Sequence, residues 1–157
     1  MQYSTREMLE SDITECAKLI VDTYQHDGIW LDWTIEDTIR DLKIPFDNPK
    51  YKEKYFVAVL DNEIIGVAGV AESFMTCSVF ELCYATVKPK YQRKGVGTGL
   101  TMKRIEYIKS FRKHGSILTS SRFPDFFTKL AFKRVGDDLD EDDIKSGIIS
   151  EICIWKF

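Results

Sequence analysis

Gln92-Arg93-Lys94-Gly95-Val96-Gly97-Thr98 stands between a run of strand formers, Phe80 to Val87, and a helical pattern from Gly97 to about Phe111 with Ile105, Ile108 and Phe111 on one face. A strand that runs through glycines into a helix aims several backbone N–H groups at one point, at the positive end of the helix dipole. That arrangement suits a pyrophosphate. Gly95 and Gly97 let the backbone come close to phosphates without a Cβ in the way, and Arg93 and Lys94 add cations at the rim. Two better-known phosphate motifs fail on residues. No glycine here leads into the G-K-[ST] ending of a nucleoside-triphosphate loop, and a dinucleotide fingerprint starting at Gly95 requires glycine where Leu100 stands.

Outward from this stretch, the elements alternate. Tyr3 to Met8 reads as a first strand, and Asp12 with Glu15 as the capping box of a helix whose Ile13, Cys16, Ala17, Ile20 and Tyr24 share a face. A second helix starts at Thr34, with Asp37 in the box position, and ends at Pro45. Tyr55 to Leu60 and Ile64 to Val70, separated by Asp61-Asn62-Glu63, read as an antiparallel hairpin. After the long helix come a strand at Ser116 to Thr119, a short helix from Pro124 to about Leu130, and strands at Phe132 to Val135 and Glu151 to Phe157. The order predicts an α+β, or mixed α/β, sandwich of one sheet with helices on both faces, in a single domain over residues 1–157.

Charges are nearly balanced at a formal net charge of -3, so bulk electrostatics do not announce a nucleic-acid partner, which would favour a basic face. Cys16, Cys77, Cys83 and Cys153 are scattered, without histidines at ligand spacing, so no metal is expected and the thiols read as reduced, in a cytoplasmic protein. The longest apolar run, Ile64 to Ala71, falls far short of the roughly 18 residues a membrane span requires.

The pattern Q/R-x-x-G-x-G/A, here Gln92 to Gly97, resembles that of the GNAT superfamily of N-acetyltransferases. Tyr84-Ala85-Thr86-Val87-Lys88-Pro89-Lys90-Tyr91 looks like the family's fourth strand and its turn, and Phe126-Phe127-Thr128-Lys129-Leu130-Ala131-Phe132 resembles its F-Y-x-K-x-G-F ending. The resemblance covers nearly the whole chain and implies a mostly antiparallel twisted sheet whose fourth and fifth strands splay apart. It implies acetyl-CoA as donor, with pantetheine contacts at Val87 and backbone N–H groups of Gln92, Arg93, Lys94, Gly95, Val96, Gly97 and Thr98 on the pyrophosphate. Ser120 and Phe127 belong to the same cofactor wall. The N–H of Ala85 becomes an oxyanion donor, a role worth about 3 kcal/mol.

A lysine-like amine must lose a proton before it attacks, at a cost on the order of 4 to 5 kcal/mol at neutral pH. Glu81, which by alternation shares a face with Cys83, Ala85 and Val87, precedes Gln92 by the spacing of the base glutamate in the family's histone acetyltransferases, and is the candidate general base. Glu72 is the reserve. Many members place a tyrosine as general acid where this chain has Phe127, so Tyr84, Ser120 or water takes that role. The acceptor is an amine-bearing small molecule or a protein lysine or N-terminus, and a homodimer fits the family.

Trp30 and Trp33 are candidate stacking surfaces for the acceptor, set against packing in the core, and His26 reads as a surface residue. The acidic run Asp137 to Asp143 either draws a cationic acceptor or is a solvated loop. The alternative function is a non-catalytic acyl-CoA-binding module; a generic nucleotide binder is a third.

Overall fold

The computed structural model describes residues 1–29, 31–48, 52–138, 147 and 150–157. Among them β1 (Ser4–Glu7), β2 (Lys54–Leu60), β3 (Glu63–Glu72), β4 (Val79–Val87), β5 (Ser116–Ser121), β6 (Lys133–Asp138) and β7 (Ser150–Lys156) form one sheet in the order β1-β2-β3-β4-β5-β7-β6. Helices α1 (Ile13–His26) and α2 (Ile35–Asp47) cover one face, while α3 (Val96–Phe111) and α4 (Pro124–Thr128) pack on the other. This is the mixed α/β sandwich expected. Every pairing is antiparallel except β4 with β5, which are joined by α3 as a crossover.

Residues alternate between two cores across β2, with Phe56 and Ala58 under α3, and Tyr55 and Val57 under α1 and α2. The β2–β3 turn is two residues rather than three. Asp61 (φ 49) and Asn62 (φ 66) take the left-handed conformations that a two-residue hairpin requires, and Glu63 already pairs with Leu60.

Two helix ends differ from expectation. Asp12 does not cap α1: a 3₁₀ turn, Glu10–Asp12, comes first, so Asp12 is already helical and its carboxylate reaches back to the Leu9 N–H (2.8 Å) and to Arg6 (2.5 and 3.1 Å). Pro45 does not end α2, which runs to Asp47. So near the terminus, a proline deprives only the Asp41 carbonyl of a donor, and Asn48 N–H still reaches Ile44 O at 2.9 Å. The capping box at Thr34 and Asp37 is present, with reciprocal bonds of 2.9 and 3.2 Å.

The decisive irregularity is in β4. Cys83 pairs with Gly69 and Thr86 with Val67, so Tyr84 and Ala85 together oppose Ala68, a β-bulge with Tyr84 at φ 47. Pairing of β4 to β5 stops at Glu81 with Leu118, although β4 continues to Val87 and β5 goes on to Ser121 against β7. The fourth and fifth strands therefore splay from Leu82 onward.

Gly69 is confined from the α1–α2 side: a Cβ there lies 2.6 Å from the Tyr55 ring and 2.7 Å from Cys83 Sγ. Gly69→Ala is expected to destabilise the fold by about 1–3 kcal/mol, read as a fall in thermal midpoint. Ala131, where the family resemblance leads one to expect glycine, holds φ 69 in the left-handed region. Ala131→Gly relieves that strain but loosens the unfolded chain, and a gain of about 0.5–1 kcal/mol is expected in chemical denaturation.

Candidate functional site

α3 begins at the glycine stretch. Gly95 is its N-cap at φ 84, with open space where a Cβ would lie, and helix geometry leaves the first N–H groups, Val96 to Thr98, without intrahelical acceptors. Gln92 to Gly95 are exposed, and Arg93 also takes positive φ, at 57°. The loop is anchored from several sides. Gln92 Nε2 donates to Val87 O (3.0 Å), Lys94 Nζ to Lys90 O (2.8 Å), and Tyr3 Oη to Gly95 O (2.8 Å). Glu63 accepts from Lys88 (2.9 Å), Tyr91 (2.8 Å) and Lys90 (3.3 Å), and the first two of these bonds hold its pKa down to about 2.

Beside the loop lies the unpaired edge of β4. The bulge changes which residues face it. Alternation places Val87 on the face of Glu81 and Cys83, yet one extra residue inverts the phase beyond Tyr84, and Val87 packs against the α3 core while Cys83 packs under α1 and α2. Glu81 is exposed on the α1–α2 side at the last β4–β5 pair, where the splay opens. Ser120 alternates onto that same side of β5. Glu72 sits on the opposite face, bound to Arg112 (2.9 Å) and Lys52 (3.5 Å), and is not brought to Glu81. Phe127 is buried against Phe126 and Phe132, with ring centroids 4.9 and 5.3 Å away, so its ring packs inside the core.

On the α1–α2 side the structure sets Tyr84 among polar groups that the sequence does not single out, Asp41, Tyr55 and Glu53. Tyr84 donates to Asp41 Oδ2 (2.9 Å), and Tyr55 donates to Glu53 Oε1 (2.6 Å), with the two rings 6.2 Å apart. Burial, then the bond to Asp41, raises the Tyr84 pKa, which makes it a weaker proton donor than free tyrosine. Burial also pushes the Cys83 thiol up to about 12, so it stays protonated at neutral pH. Glu53, half-buried, is raised by burial, with the Asp41 charge adding to the effect against the opposing Tyr55 bond. One signal for Glu53 was readable: it stands two residues before Tyr55 and so shares its face.

Trp33 packs edge-on against Tyr24 (5.8 Å) and Tyr84 (6.4 Å), and Arg122 lies over the Tyr24 ring at 5.3 Å. Trp30 and positions 139–143 of the acidic run lie outside the described residues. His26 is exposed beside Asp27 (3.1 Å). The four cysteines are free. Among the described residues no helix is long and apolar enough to cross a membrane, and no group of three or more His, Cys, Asp or Glu side chains is placed to hold a metal ion.

Residues 51–134 match the family model described as "Acetyltransferase (GNAT) domain". Solved structures share the fold at low identity. A ribosomal-protein-alanine N-acetyltransferase from Brucella melitensis has a TM-score of 0.79 at 14% identity, covering 98% of this chain and 99% of that one. The PaiA N-acetyltransferase of Thermoplasma acidophilum, solved with coenzyme A, has a TM-score of 0.75 at 19% identity over 100% of both chains. A GNAT-family acetyltransferase from Staphylococcus aureus has a TM-score of 0.72 at 15% identity over 99% of both. No curated protein matches by sequence.

Glu53 allows a pH test. Its carboxyl pKa is raised in the fold, so ionisation disfavours the folded state once pH exceeds the unfolded value near 4.3. Glu53→Gln retains an acceptor for Tyr55 and removes that penalty. Its thermal midpoint is expected to exceed wild type at pH 7, and the difference to vanish below about pH 4.

Proposed function

We propose that this chain, which belongs to the GNAT acetyltransferase family, transfers an acetyl group from acetyl-CoA to a primary amine by direct attack within a ternary complex. The observation that carries the reading is the unpaired β4 edge beyond Glu81, which opens beside the Gly95 loop at the start of α3. One element offers free N–H groups and open space for a pyrophosphate; the other offers an unladdered strand for the pantetheine arm. That the similar Thermoplasma acidophilum protein was solved with coenzyme A supports the same donor here.

In this reading the backbone of Gln92 to Thr98 holds the pyrophosphate, with Arg93 and Lys94 adding charge at the rim. The main chain at Val87, with Ser120 across the gap, flanks the arm. Glu81 is exposed where the splay opens, which leaves it free to take the amine's proton directly or through water. The Ala85 N–H, freed from regular pairing by the bulge, donates to the thioester oxygen as it gains charge. The Tyr84 hydroxyl is committed to Asp41. Coenzyme A is a thiol with a pKa near 8.5 and can leave as thiolate, so Ser120 or water suffices to reprotonate it. Trp33 walls the acceptor side with Tyr24 and Tyr84. The acceptor is a small amine or a protein lysine or N-terminus, met in the cytoplasm.

Incubation with acetyl-CoA and a panel of amines, followed by free thiol and mass spectrometry, is expected to show thiol release with at least one acceptor. Glu81→Gln is expected to lower kcat about 100-fold and flatten the pH profile. Stabilisation by coenzyme A without any thiol release favours a binding module over an enzyme. An unchanged rate and profile in Glu81→Gln removes that residue from the mechanism.

A further inference from the structure

Arg104, on α3, is 0% exposed. Buried arginines are ordinarily paired with carboxylates, and among the described residues no carboxylate bonds to this one. Its guanidinium instead donates to three oxygens: Nη1 to Gly69 O (3.0 Å), Nη2 to Thr101 Oγ1 (3.0 Å) and Nε to Leu100 O (3.4 Å). Burial lowers its pKa only to about 10, so it stays cationic at neutral pH. An apolar side chain of similar volume would fill this space without carrying a charge into the core. Its presence there turns attention to what it binds.

Gly69 is the β3 residue opposite Cys83, at the edge of the bulge where Tyr84 and Ala85 face Ala68 alone. Thr101, the second partner, itself donates to Gly97 O at 2.9 Å, in the first turn of α3. A hydrogen-bonded path therefore runs from the bulged strand pair, through Arg104 and Thr101, to the glycine loop. It spans about 10 Å of helix between Gly97 and Arg104. These two ends are the parts of the coenzyme site that must keep a fixed separation, one for the pyrophosphate and one for the thioester.

We propose that Arg104 is a positioning residue that locks the start of α3 to the β3–β4 bulge, so that the two halves of the coenzyme A surface keep one spacing. The inference rests on the proposed acetyl-CoA reading. It assigns the buried cation a role in cofactor binding beyond holding the core together, and it separates from simple stability because removal of a buried charge need not weaken the fold.

The test compares wild type with Arg104→Met, Arg104→Lys and Thr101→Val. Titration calorimetry with coenzyme A is combined with thermal midpoints without ligand and amide exchange at Lys88 and Gly99, whose N–H groups are bonded to Ile65 O (3.0 Å) and Gly95 O (2.9 Å). Arg104→Met is expected to bind coenzyme A roughly 3- to 30-fold more weakly at an unchanged or higher midpoint. Both amides are expected to exchange faster together. Arg104→Lys should recover part of the affinity, and Thr101→Val should weaken binding in the same direction. Wild type that binds beside an Arg104→Met that binds equally well overturns the inference alone. If Arg104→Met does not fold, unchanged affinity in Thr101→Val overturns it. Wild type that does not bind coenzyme A overturns the proposed function itself.

Discussion

One extra residue in β4 is the constraint on which the rest of the site depends. Because Tyr84 and Ala85 oppose Ala68 alone, the side-chain phase of the strand inverts at that point. Before it, Cys83 faces α1 and α2; after it, Val87 faces α3. The same irregularity accompanies the loss of pairing to β5 and leaves an edge of main chain open inside a sheet whose faces are both covered. An open edge in an interior position is a liability unless something pairs with it. Here it adjoins the glycine loop, and a ligand of extended shape is the partner that both features suit.

The bulge also accounts for the glycine beside it. Gly69 has no side chain, so the Tyr55 ring can lie across β3 and reach Cys83. That ring in turn carries its hydroxyl to Glu53, while Tyr84, turned out by its positive φ, carries its own to Asp41. Two tyrosines thus bridge the strands to carboxylates that begin β2 and line α2. The α1–α2 side of the splay becomes acidic, with Glu81, Glu53 and Asp41, while the opposite side, at the loop, offers Arg93 and Lys94. Opposite polarities on the two sides suit a cationic acceptor entering from one side and an anionic donor from the other.

Legibility in the sequence followed the range of the interaction. The capping box at Thr34 and Asp37 and the element order rest on residues a few positions apart, and local pattern suffices for them. Asp12 carried an equally good local signal, but Arg6 on β1 competes for its carboxylate across the chain. The effect of Pro45 depends on how many turns follow it, and here less than one does, so the helix passes through it. The sequence of β4 predicts strict alternation, since nothing in Cys83-Tyr84-Ala85 marks a bulge; the glycine that accommodates it lies on another strand. Glu53 and Asp41 become visible only once Tyr55 and Tyr84 are seen to lie side by side.

The glycine loop illustrates why local signal and site are different things. Its free N–H groups and left-handed N-cap follow from the residues themselves. Where they point is decided elsewhere: by Glu63 on the β2–β3 hairpin, which gathers Lys88, Lys90 and Tyr91, by Tyr3 ahead of β1, which holds Gly95, and by Thr101 beneath Gly97. A turn of this composition left unsupported would bind any phosphate weakly. Anchored to three parts of the sheet and its helix, it presents one geometry, and a preordered donor set loses less entropy on binding than a flexible one. In the proposed reading, selectivity for a long, bipartite ligand lies in the separation between loop and bulge, a property of the tertiary structure that the motif does not encode.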